Sequence, residues 1–537
     1  MDAQPAQHVE PEYRVSRDAE KPLPFLERHP WMLFAIAVLA FLPAVLYSSQ
    51  KKLLWHDELF TYYIAKAPTM PAMLHLTQTF DLNPPLNYIL VRALFHVLPN
   101  TPTVCRIPAM AGFVLAMGCL FFWISKRFGG AWGVSSTLLL VTGAALQYAL
   151  EARPYGLELG FVSLGFFGWQ RAIDRPGKQN LALILVLLGG SCALLSHVFA
   201  IFAWGVLILA EVIRIRLVGK VNWLLLGALL LPLVAVVTYI PLVRSHEAAY
   251  FPPAFQASLL GIGSFYSDYF APLLMPLIWG AVLAAIFVAK PVIRPNRPMF
   301  AGKPAILALL GFFFVPLVLT AYLSYAHGAF FPRYGIVAAI GIAGLIATLG
   351  GWLTGGRRSV AWLITFALFV GSPLLGGVFL LASHPELLSL SHRERKVCEA
   401  CELANRFNPN LPFVDASGLT FLEMDSRLDS PFLAKVFYLT DPEASIRYAH
   451  ANIFEGMAKE KEVFPIRANV QAYSTFVKQH RKFLVFGTYD FPEDWLLRKL
   501  NADGAQLRLI GTVDDPQFKD MQVWQIDSEN ANVSSNL

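Results

Sequence analysis

Charged side chains are scarce in this sequence. They make up 15% of the 537 residues, whereas soluble proteins average about 25%. Hydrophobic residues reach 55%, and the mean hydropathy is +0.50. Long windows contain no ionisable residue at all, so the composition excludes an ordinary soluble protein.

Several features of other protein classes are also missing. No cleavable signal peptide is evident, since residues 1–30 are Pro-rich and of mixed charge, which is typical of a cytoplasmic tail. No GxxxxGK[ST] motif is present, so nothing predicts a nucleotide-phosphate loop. The histidines form no spaced ligand set, and we expect no essential metal or cofactor.

Cysteine is equally rare. Two of the five cysteines, Cys398 and Cys401, form a lone CxxC. One such pair lacks the second half of a zinc site, which leaves a disulfide open as an alternative. The other three lie in apolar stretches, as is typical of buried thiols.

What the sequence has in abundance is long apolar runs. A membrane-spanning helix needs roughly 20 apolar residues, and we predict eleven such spans. Their approximate bounds are 31–48, 104–125, 131–149, 154–170, 181–196, 198–213, 222–243, 269–289, 304–325, 334–354 and 360–382.

The orientation follows from Lys and Arg, which are enriched in cytoplasmic loops. With the N-terminus inside, the inner segments contain 18 of these residues and the outer ones before residue 384 contain eight. We therefore expect a multi-pass protein of the bacterial inner membrane, with a transmembrane domain over 31–383. An odd number of spans places residues 384–537 in the periplasm.

Residues 384–537 are polar and predict a soluble α/β domain. Strands are expected at Lys482–Thr488, Gln506–Thr512 and Gln522–Asp527, and a helix at Glu493–Ala502. With 17 basic and 22 acidic residues the domain is negative. The overall charge of +6 therefore comes mostly from the inner loops, and no nucleic acid partner is needed to explain it.

The first outer loop, 49–103, is too long for a simple connector. Asn83 is a plausible N-cap and Pro84 a first helical residue. Apolar residues then recur at helical spacing through Val97. This pattern predicts a helix lying flat at the membrane interface.

Ionisable side chains are costly inside a bilayer, and here the unusual ones cluster at outer helix ends. Asp57 and Glu58 lie early in the first outer loop, just after the first predicted span. One carboxylate can act as a general base and the other can orient an acceptor. The alternative is that Asp57 caps a helix and Glu58 lies in its first turn.

Two arginines occupy similar positions. Arg153, with Glu151 nearby, lies between two spans, and Arg333 precedes Tyr334. A guanidinium can bind a phosphate through two donors, or it can extend to lipid headgroups. The remaining candidates, each with a packing or capping alternative, are Tyr62, Asp81, Asn83, Tyr155 and His197.

The motifs follow a recognisable order: WHDELFTYYIAKA (55–67), DLNPPLNYIL (81–90), RIPAMAG (106–112), QYALEARPYGL (147–157), LLSHVFAIF (194–202) and FPRYGI (331–336). Each motif alone is weak. The ordered set resembles the GT-C glycosyltransferases of the protein O-mannosyltransferase and lipid A aminoarabinose transferase type, the family 39-like enzymes.

This resemblance implies 11 to 13 transmembrane helices, two juxtamembrane helices in the first outer loop, and direct inverting transfer from a polyprenyl- or dolichyl-phosphate sugar. It implies that Asp57 is the catalytic carboxylate, with Glu58 beside it in the acceptor site. Arg153 and Arg333 would bind the donor phosphate, and His197 would line the cavity. Some relatives carry His or Lys where this chain has Asn83, which supplies no charge.

Two other functions compete with the transferase: a transporter or flippase for a lipid-linked glycan, and a non-catalytic envelope assembly protein. Transporters usually show repeats and polar groups at the membrane midplane, and neither is evident here. The acceptor remains open among lipid, glycan and protein, and so does the oligomeric state.

Overall fold

The structure is a computed structural model that describes residues 25–175, 177, 179–240, 256–288, 302–372, 399–428, 430–450, 456–489, 495–513 and 521–529. Most of the predicted cytoplasmic tail and the predicted domain boundary near residue 384 lie outside these ranges.

Most of the first 372 residues are helical. In chain order the α-helices are α1 Phe25–Arg28, α2 Pro30–Lys51, α3 His56–Ala65, α4 Met70–Leu76, α5 Leu86–Phe95, α6 Pro102–Phe128, α7 Gly130–Thr142, α8 Tyr155–Asp174, α9 Asn180–Ser196, α10 Ala200–Val218, α11 Trp223–Leu230, α12 Ile262–Phe287, α13 Gly302–Tyr325, α14 Ala338–Leu353 and α15 Arg358–Val370. Short 3-10 helices occupy Ala144–Leu150, Leu231–Thr238, Leu259–Gly261 and Pro332–Gly335.

Within the described residues each predicted span overlaps a helix, although not every helix is long enough to cross a bilayer by itself. Of the helices in these ranges, four pass on length and composition, and α7 with Ala144–Leu150 forms a further candidate bent by 74°. Other apolar helices, such as α9 and α14, are shorter. The architecture is that of a multi-pass membrane protein, and the number eleven stays a prediction.

The first outer loop contains three helices, α3, α4 and α5, with a π-helical turn at Thr77–Asp81. The prediction that Asn83 caps the third of these was wrong. The helix begins at Leu86 because the Asn83 side chain folds back onto the backbone oxygen of Asp81, 3.0 Å away. Asp57 is not a cap either, since Trp55 occupies that position before α3.

Glycines allow helices α6 and α8 to pack backbone against backbone. A Cβ atom added at Gly112 would overlap the carbonyl of Gly156, and one added at Gly160 would overlap the backbone of Gly112. Small residues at such contacts let membrane helices approach closely. This contact fixes the segment just before α8, which contains Arg153, against the beginning of α6.

The described part of the C-terminal domain contains a mixed sheet of six strands. Its strands are β1 Phe413–Asp415, β2 Val436–Thr440, β3 Asn469–Ala472, β4 Lys482–Gly487, β5 Gln506–Val513 and β6 Met521–Asp527. Their order is β3-β2-β1-β4-β6-β5. Strands β3, β2, β1 and β4 are parallel, whereas β6 runs antiparallel to β4 and β5.

Helices cover this sheet, as expected for an α/β domain. They are α16 Glu399–Phe407, α17 Gly418–Arg427, α18 Ser430–Leu433, α19 Pro442–Ala444, α20 Met457–Val463, α21 Tyr473–Gln479 and α22 Leu496–Ala502. The three strands predicted from sequence are confirmed as β4, β5 and β6. Cys401 is disulfide-bonded, whereas Cys398 lies outside the described residues.

The C-terminal domain packs on the first outer loop, and the two share one apolar core. Phe464, which follows α20, lies within ring-contact distance of Phe60, Tyr63 and Phe80, with centroids 5.9, 5.4 and 5.4 Å away. Aromatic pairs of this geometry contribute roughly 0.5–1.5 kcal/mol beyond burial. The loop is therefore enclosed between the membrane helices and the sheet domain.

The close glycine contact between α6 and α8 leads to a prediction about thermal stability. Gly160→Ala should lower the Tm in detergent because its Cβ meets backbone that cannot move aside, and overpacking costs about 1–3 kcal/mol. Gly205→Ala is the matched control, since nothing lies within 4 Å of a Cβ there. The control should keep or raise the Tm, because Ala is the better helix former. Equal effects of the two changes would contradict the close contact.

Candidate functional site

Asp57 and Arg333 form an ion pair although they come from distant parts of the chain. Asp57 lies in the first turn of α3, and Arg333 lies in the turn that precedes α14. Asp57 Oδ2 and Arg333 Nη2 are 3.1 Å apart, and the two side chains are 19% and 20% exposed. The pair is therefore sheltered but still accessible to a ligand.

The charges around Asp57 keep it ionised. Burial acts to raise the pKa of its carboxyl, but the guanidinium groups of Arg333 and Arg153 outweigh burial, so the pKa is lowered from its ordinary value of 3.8. Burial lowers the pKa of the neighbouring His56 to about 4. The site thus contains one carboxylate beside a neutral imidazole at physiological pH.

Arg153 is bound on two sides. Its Nη1 and Nη2 contact Asp81 Oδ2 and Oδ1 at 2.5 and 2.8 Å, and Nη1 also donates to the backbone oxygen of Asp57 at 2.9 Å. Tyr88 donates its hydroxyl to the same carboxylate at 2.5 Å. Arg153 therefore fixes the backbone at Asp57. The two donor groups with which it was expected to bind a phosphate are already bound to Asp81.

The turn beside Asp81 is strained. Leu82 has a φ of 52°, a left-handed conformation that costs a residue with a Cβ about 1 kcal/mol or more. Asn83 contacts Asp81 Oδ1 at 3.3 Å. Asp81 and Asn83 therefore belong to the cluster, where they hold Arg153 in place.

Glu58 is fully buried, unlike its partly exposed neighbour Asp57. Its carboxylate makes a two-point contact with Arg106, where Nε–Oε1 and Nη2–Oε2 are both 2.7 Å. Both side chains are fully buried. The backbone N–H of Ala152 also donates to Oε1 at 2.6 Å, and that of Trp55 donates to Oε2 at 3.3 Å.

Glu151 lies near the cluster, and only one of its two carboxylate oxygens lies near a cation. Its Oε1 is 3.8 Å from Lys52 Nζ, and its buried Oε2 has no hydrogen-bond partner. Burial raises the pKa of the carboxyl to about 7, and the opposing charge of Lys52 only partly offsets this. Burial thus outweighs the distant Lys52, and the Glu151 carboxyl is protonated in a substantial fraction of the molecules at neutral pH.

Aromatic rings and a buried acid form one wall of the site. The Tyr155 ring contacts His197 at 5.2 Å, and Tyr334 contacts His197 and Phe199 at 5.7 and 4.9 Å. His197 Nδ1 lies 3.0 Å from Glu158 Oε2, although the two atoms are not aligned as a hydrogen bond. The predicted candidates Tyr155, His197 and Tyr334 are thus close together.

Tyr62 is placed elsewhere. Its ring contacts Tyr63 and Phe95, 5.7 Å away in both cases. Its hydroxyl accepts a hydrogen bond from Lys66 Nζ at 3.3 Å. Among the described residues, Tyr62 makes no such contact with Asp57, Arg153 or Arg333, so the structure does not bring it into the cluster.

Unpaired polar atoms mark where a ligand could bind. Buried atoms without a hydrogen-bond partner include Trp55 Nε1, Arg153 Nε and Arg333 Nε, as well as Glu151 Oε2. Native proteins pair nearly all such atoms, so their concentration here indicates a binding site for a polar molecule. Within the described ranges no group of three His, Cys, Asp or Glu side chains is arranged to hold a metal ion.

Sequence reasoning missed two residues that shape the site. Arg106 stood in a quoted motif without a role, although a charge inside a predicted span requires a partner; that rule signals a buried partner but does not identify Glu58. Glu423 of the C-terminal domain accepts from the backbone N–H of His56 at 3.2 Å. Nothing in the sequence pairs residues that are so far apart.

The fold formed by the helices, the outer-loop cluster and the C-terminal sheet is similar to that of a solved membrane-protein structure. This structure is ArnT from Cupriavidus metallidurans, described bound to undecaprenyl phosphate and in the apo state. The bound form has a TM-score of 0.50 at 14% identity, covering 94% of this chain and 98% of that one. For the apo form the values are 0.52, 13%, 93% and 98%.

A more distant likeness, with a TM-score of 0.36 and 10% identity, is to the oligosaccharyltransferase AglB of Archaeoglobus fulgidus, covering 86% of this chain and 70% of that one. No family model matches the sequence, and the comparison with curated proteins finds no match. The likeness to ArnT confirms the predicted GT-C resemblance at the level of the fold.

The raised pKa of Glu151 predicts a pH-dependent stability. The carboxyl titrates near its ordinary value of 4.5 in the unfolded chain and near 7 in the folded protein. Between these values the folded state binds more protons, so stability falls as pH rises. Glu151→Gln should remove this fall and give a higher Tm than wild type at pH 8.

Thermal unfolding in detergent between pH 5 and 8 measures this effect. The exposed Glu402→Gln is the control and should leave the slope unchanged. A loss of Tm in Glu151→Gln that is the same at pH 5 and pH 8 would contradict the assignment.

Proposed function

We propose that this protein is a membrane glycosyltransferase that moves a sugar from a polyprenyl-phosphate donor to an envelope acceptor. The observation that supports it best is the accessible Asp57–Arg333 pair, 3.1 Å apart, in a fold shared with a structure bound to undecaprenyl phosphate. A carboxylate and a guanidinium side by side are the two groups that this reaction requires.

Arg333 is the candidate ligand of the donor phosphate. Its guanidinium carbon lies 4.3 Å from the Phe331 ring centroid and 5.6 Å from that of Trp55, which fixes its plane. Its Nε has no partner, so it can donate to a phosphate oxygen. Arg153, already bound to Asp81, acts instead as the support of the Asp57 backbone.

Asp57 is the candidate base. The acceptor oxygen attacks the anomeric carbon while its proton passes to the Asp57 carboxylate. The bond between that carbon and the phosphate oxygen breaks, and the electron pair leaves with the polyprenyl phosphate. The configuration inverts, and Arg333 offsets the negative charge on the departing phosphate.

Donor binding also prepares the base. A carboxylate with a low pKa accepts protons poorly, and part of the lowering at Asp57 comes from Arg333. When a phosphate competes for Arg333, the guanidinium is shared and the pKa of Asp57 rises. The acid–base group is thus activated only when donor is present.

The remaining predicted residues fall into two roles. Glu58 fixes the loop through Arg106, and Asp81 and Asn83 fix Arg153, so we assign them structural positions beside the site. Tyr155, His197 and Tyr334 form a wall for the sugar. No metal or other cofactor takes part in this scheme.

We place the site at the extracytoplasmic side of a bacterial inner membrane. Lys and Arg are concentrated in the loops on the opposite side. Cys401 is disulfide-bonded, and disulfides persist in oxidising compartments such as the periplasm. The C-terminal domain, which packs over the cluster, then faces the periplasm and the acceptor.

Asp57→Asn tests the proposal, because it keeps the shape of the side chain but abolishes its role as a base. A strain lacking the gene is complemented with each variant, and envelope glycolipids and glycoproteins are compared by mass spectrometry. We expect the product to fall by at least 10²-fold, as is typical for loss of a general base.

Asp174→Asn is the matched control for this experiment. Asp174 also pairs with an arginine, Arg127, at 3.3 Å, but at the other end of α8. It should leave the product at the wild-type level. A wild-type amount of product in Asp57→Asn, at equal protein in the membrane, would overturn the base assignment, whereas no product difference between wild type and deletion would overturn the enzyme.

Arg333→Met tests the donor site separately from the chemistry. Undecaprenyl phosphate should raise the Tm of the wild-type protein in detergent, since a ligand that binds the folded state stabilises it. The shift should disappear in Arg333→Met. The control Arg127→Met removes an arginine that is likewise stacked on an aromatic ring, 4.7 Å from Trp123, and should keep the shift.

A further inference from the structure

The helix that contains Asp57 begins against the C-terminal domain. His56 is the first residue of α3, and its backbone N–H donates to Glu423 Oε1 at 3.2 Å. The first N–H groups of a helix have no partner within the helix, and a negative charge beside them is favourable. A carboxylate from the other domain therefore caps the helix.

Glu423 is itself fixed in place. It lies in α17 with its side chain 4% exposed, and its Oε2 pairs with Arg427 Nη2, one turn later, at 2.7 Å. An oriented carboxylate loses less entropy on accepting a bond than a freely moving one does. The contact with His56 therefore belongs to a preorganised interface between the C-terminal domain and α3.

The ring of His56 is held by the same helix, because it bonds to the backbone of Gly418, the first residue of α17. The ring also packs edge-on against Phe60, with centroids 5.0 Å apart. His56 is thus fixed through its main chain and through its side chain, both times by α17.

The position of α17 in the sheet domain adds a second observation. It follows β1, and β1 lies between β2 and β4, where the strand order reverses. Doubly wound domains bind their ligands at the carboxyl ends of the strands at such a point. In this protein α17 begins just after the carboxyl end of β1, and its first residue, Gly418, contacts His56 there.

We propose that Glu423 is a positioning residue for Asp57, through which the C-terminal domain holds the carboxylate in the orientation that transfer needs. From one side Arg153 binds the Asp57 backbone oxygen at 2.9 Å, and from the other Glu423 binds the preceding N–H. This inference rests on the proposed function and adds a role for the C-terminal domain in it.

Hydrogen–deuterium exchange of the full-length protein in detergent tests the contact without any assay of activity. In Glu423→Ala, a peptide that begins several residues before His56 and extends to Ala65 should exchange faster, by about tenfold at the amide of His56, since a hydrogen bond to a charged acceptor is lost. Glu423→Gln keeps an acceptor oxygen and should restore slow exchange.

The matched control is Glu402→Ala, which removes another i,i+4 carboxylate–arginine pair in the same domain, that with Arg406 at 2.8 Å. It should leave exchange at 56–65 unchanged. Unchanged exchange in Glu423→Ala would overturn the capping contact, whether or not the protein proves to be a transferase.

The same variants in the complemented strain then test the consequence for transfer. Glu423→Ala should lower the product about tenfold at equal membrane protein, and Glu423→Gln should recover most of it, while the Tm shift with undecaprenyl phosphate stays at the wild-type value in both. Wild-type product in Glu423→Ala, or a loss of the undecaprenyl phosphate shift along with the product, would overturn the positioning role.

Discussion

A buried Glu58–Arg106 pair holds together four segments beside the site: the end of α2 with the chain after it, α3, α6 and the segment before α8. Arg106 belongs to α6, and besides Glu58 it binds the backbone oxygens of Ser49, Lys52 and Leu53 at 2.7–2.9 Å. These contacts tie the end of α2 and the chain that follows it to α6. Glu58 in turn binds the backbone before α8. Such a pair is costly to desolvate, but removing either partner leaves an uncompensated buried charge, so the arrangement is specific.

This constraint separates two adjacent carboxylates that look equivalent in the sequence. Glu58 turns inward and is saturated by Arg106 and two backbone N–H groups, whereas Asp57, one residue earlier, turns outward to Arg333. The contacts that hold Glu58 also fix the backbone of Asp57, so its partly exposed carboxylate keeps its position beside Arg333. The cluster is therefore layered: one ion pair is buried and structural, and the next is accessible and available for chemistry.

The sequence predicted the helices, the sheet domain and most of the clustered side chains, because these depend on apolar runs, alternating strands and charges placed at helix ends. Asp57, Arg153 and Arg333 came from an ordered set of motifs. The sequence failed where distant parts of the chain decide the outcome. The start of α5 was wrong because Asn83 bonds to Asp81 instead of capping, Tyr62 turned away from the cluster, and the contact of Glu423 with His56 joins two domains. Local patterns do not contain such information.

The buried ion pair also has a consequence for how the sequence can vary. Glu58 and Arg106 are 48 residues apart in the chain, so the pair forms only when the outer loop and α6 have come together. An unpaired charge is costly inside a bilayer, and a variant that lacks one partner keeps that cost after folding. Substitutions at these two positions should therefore be tolerated in pairs and not singly.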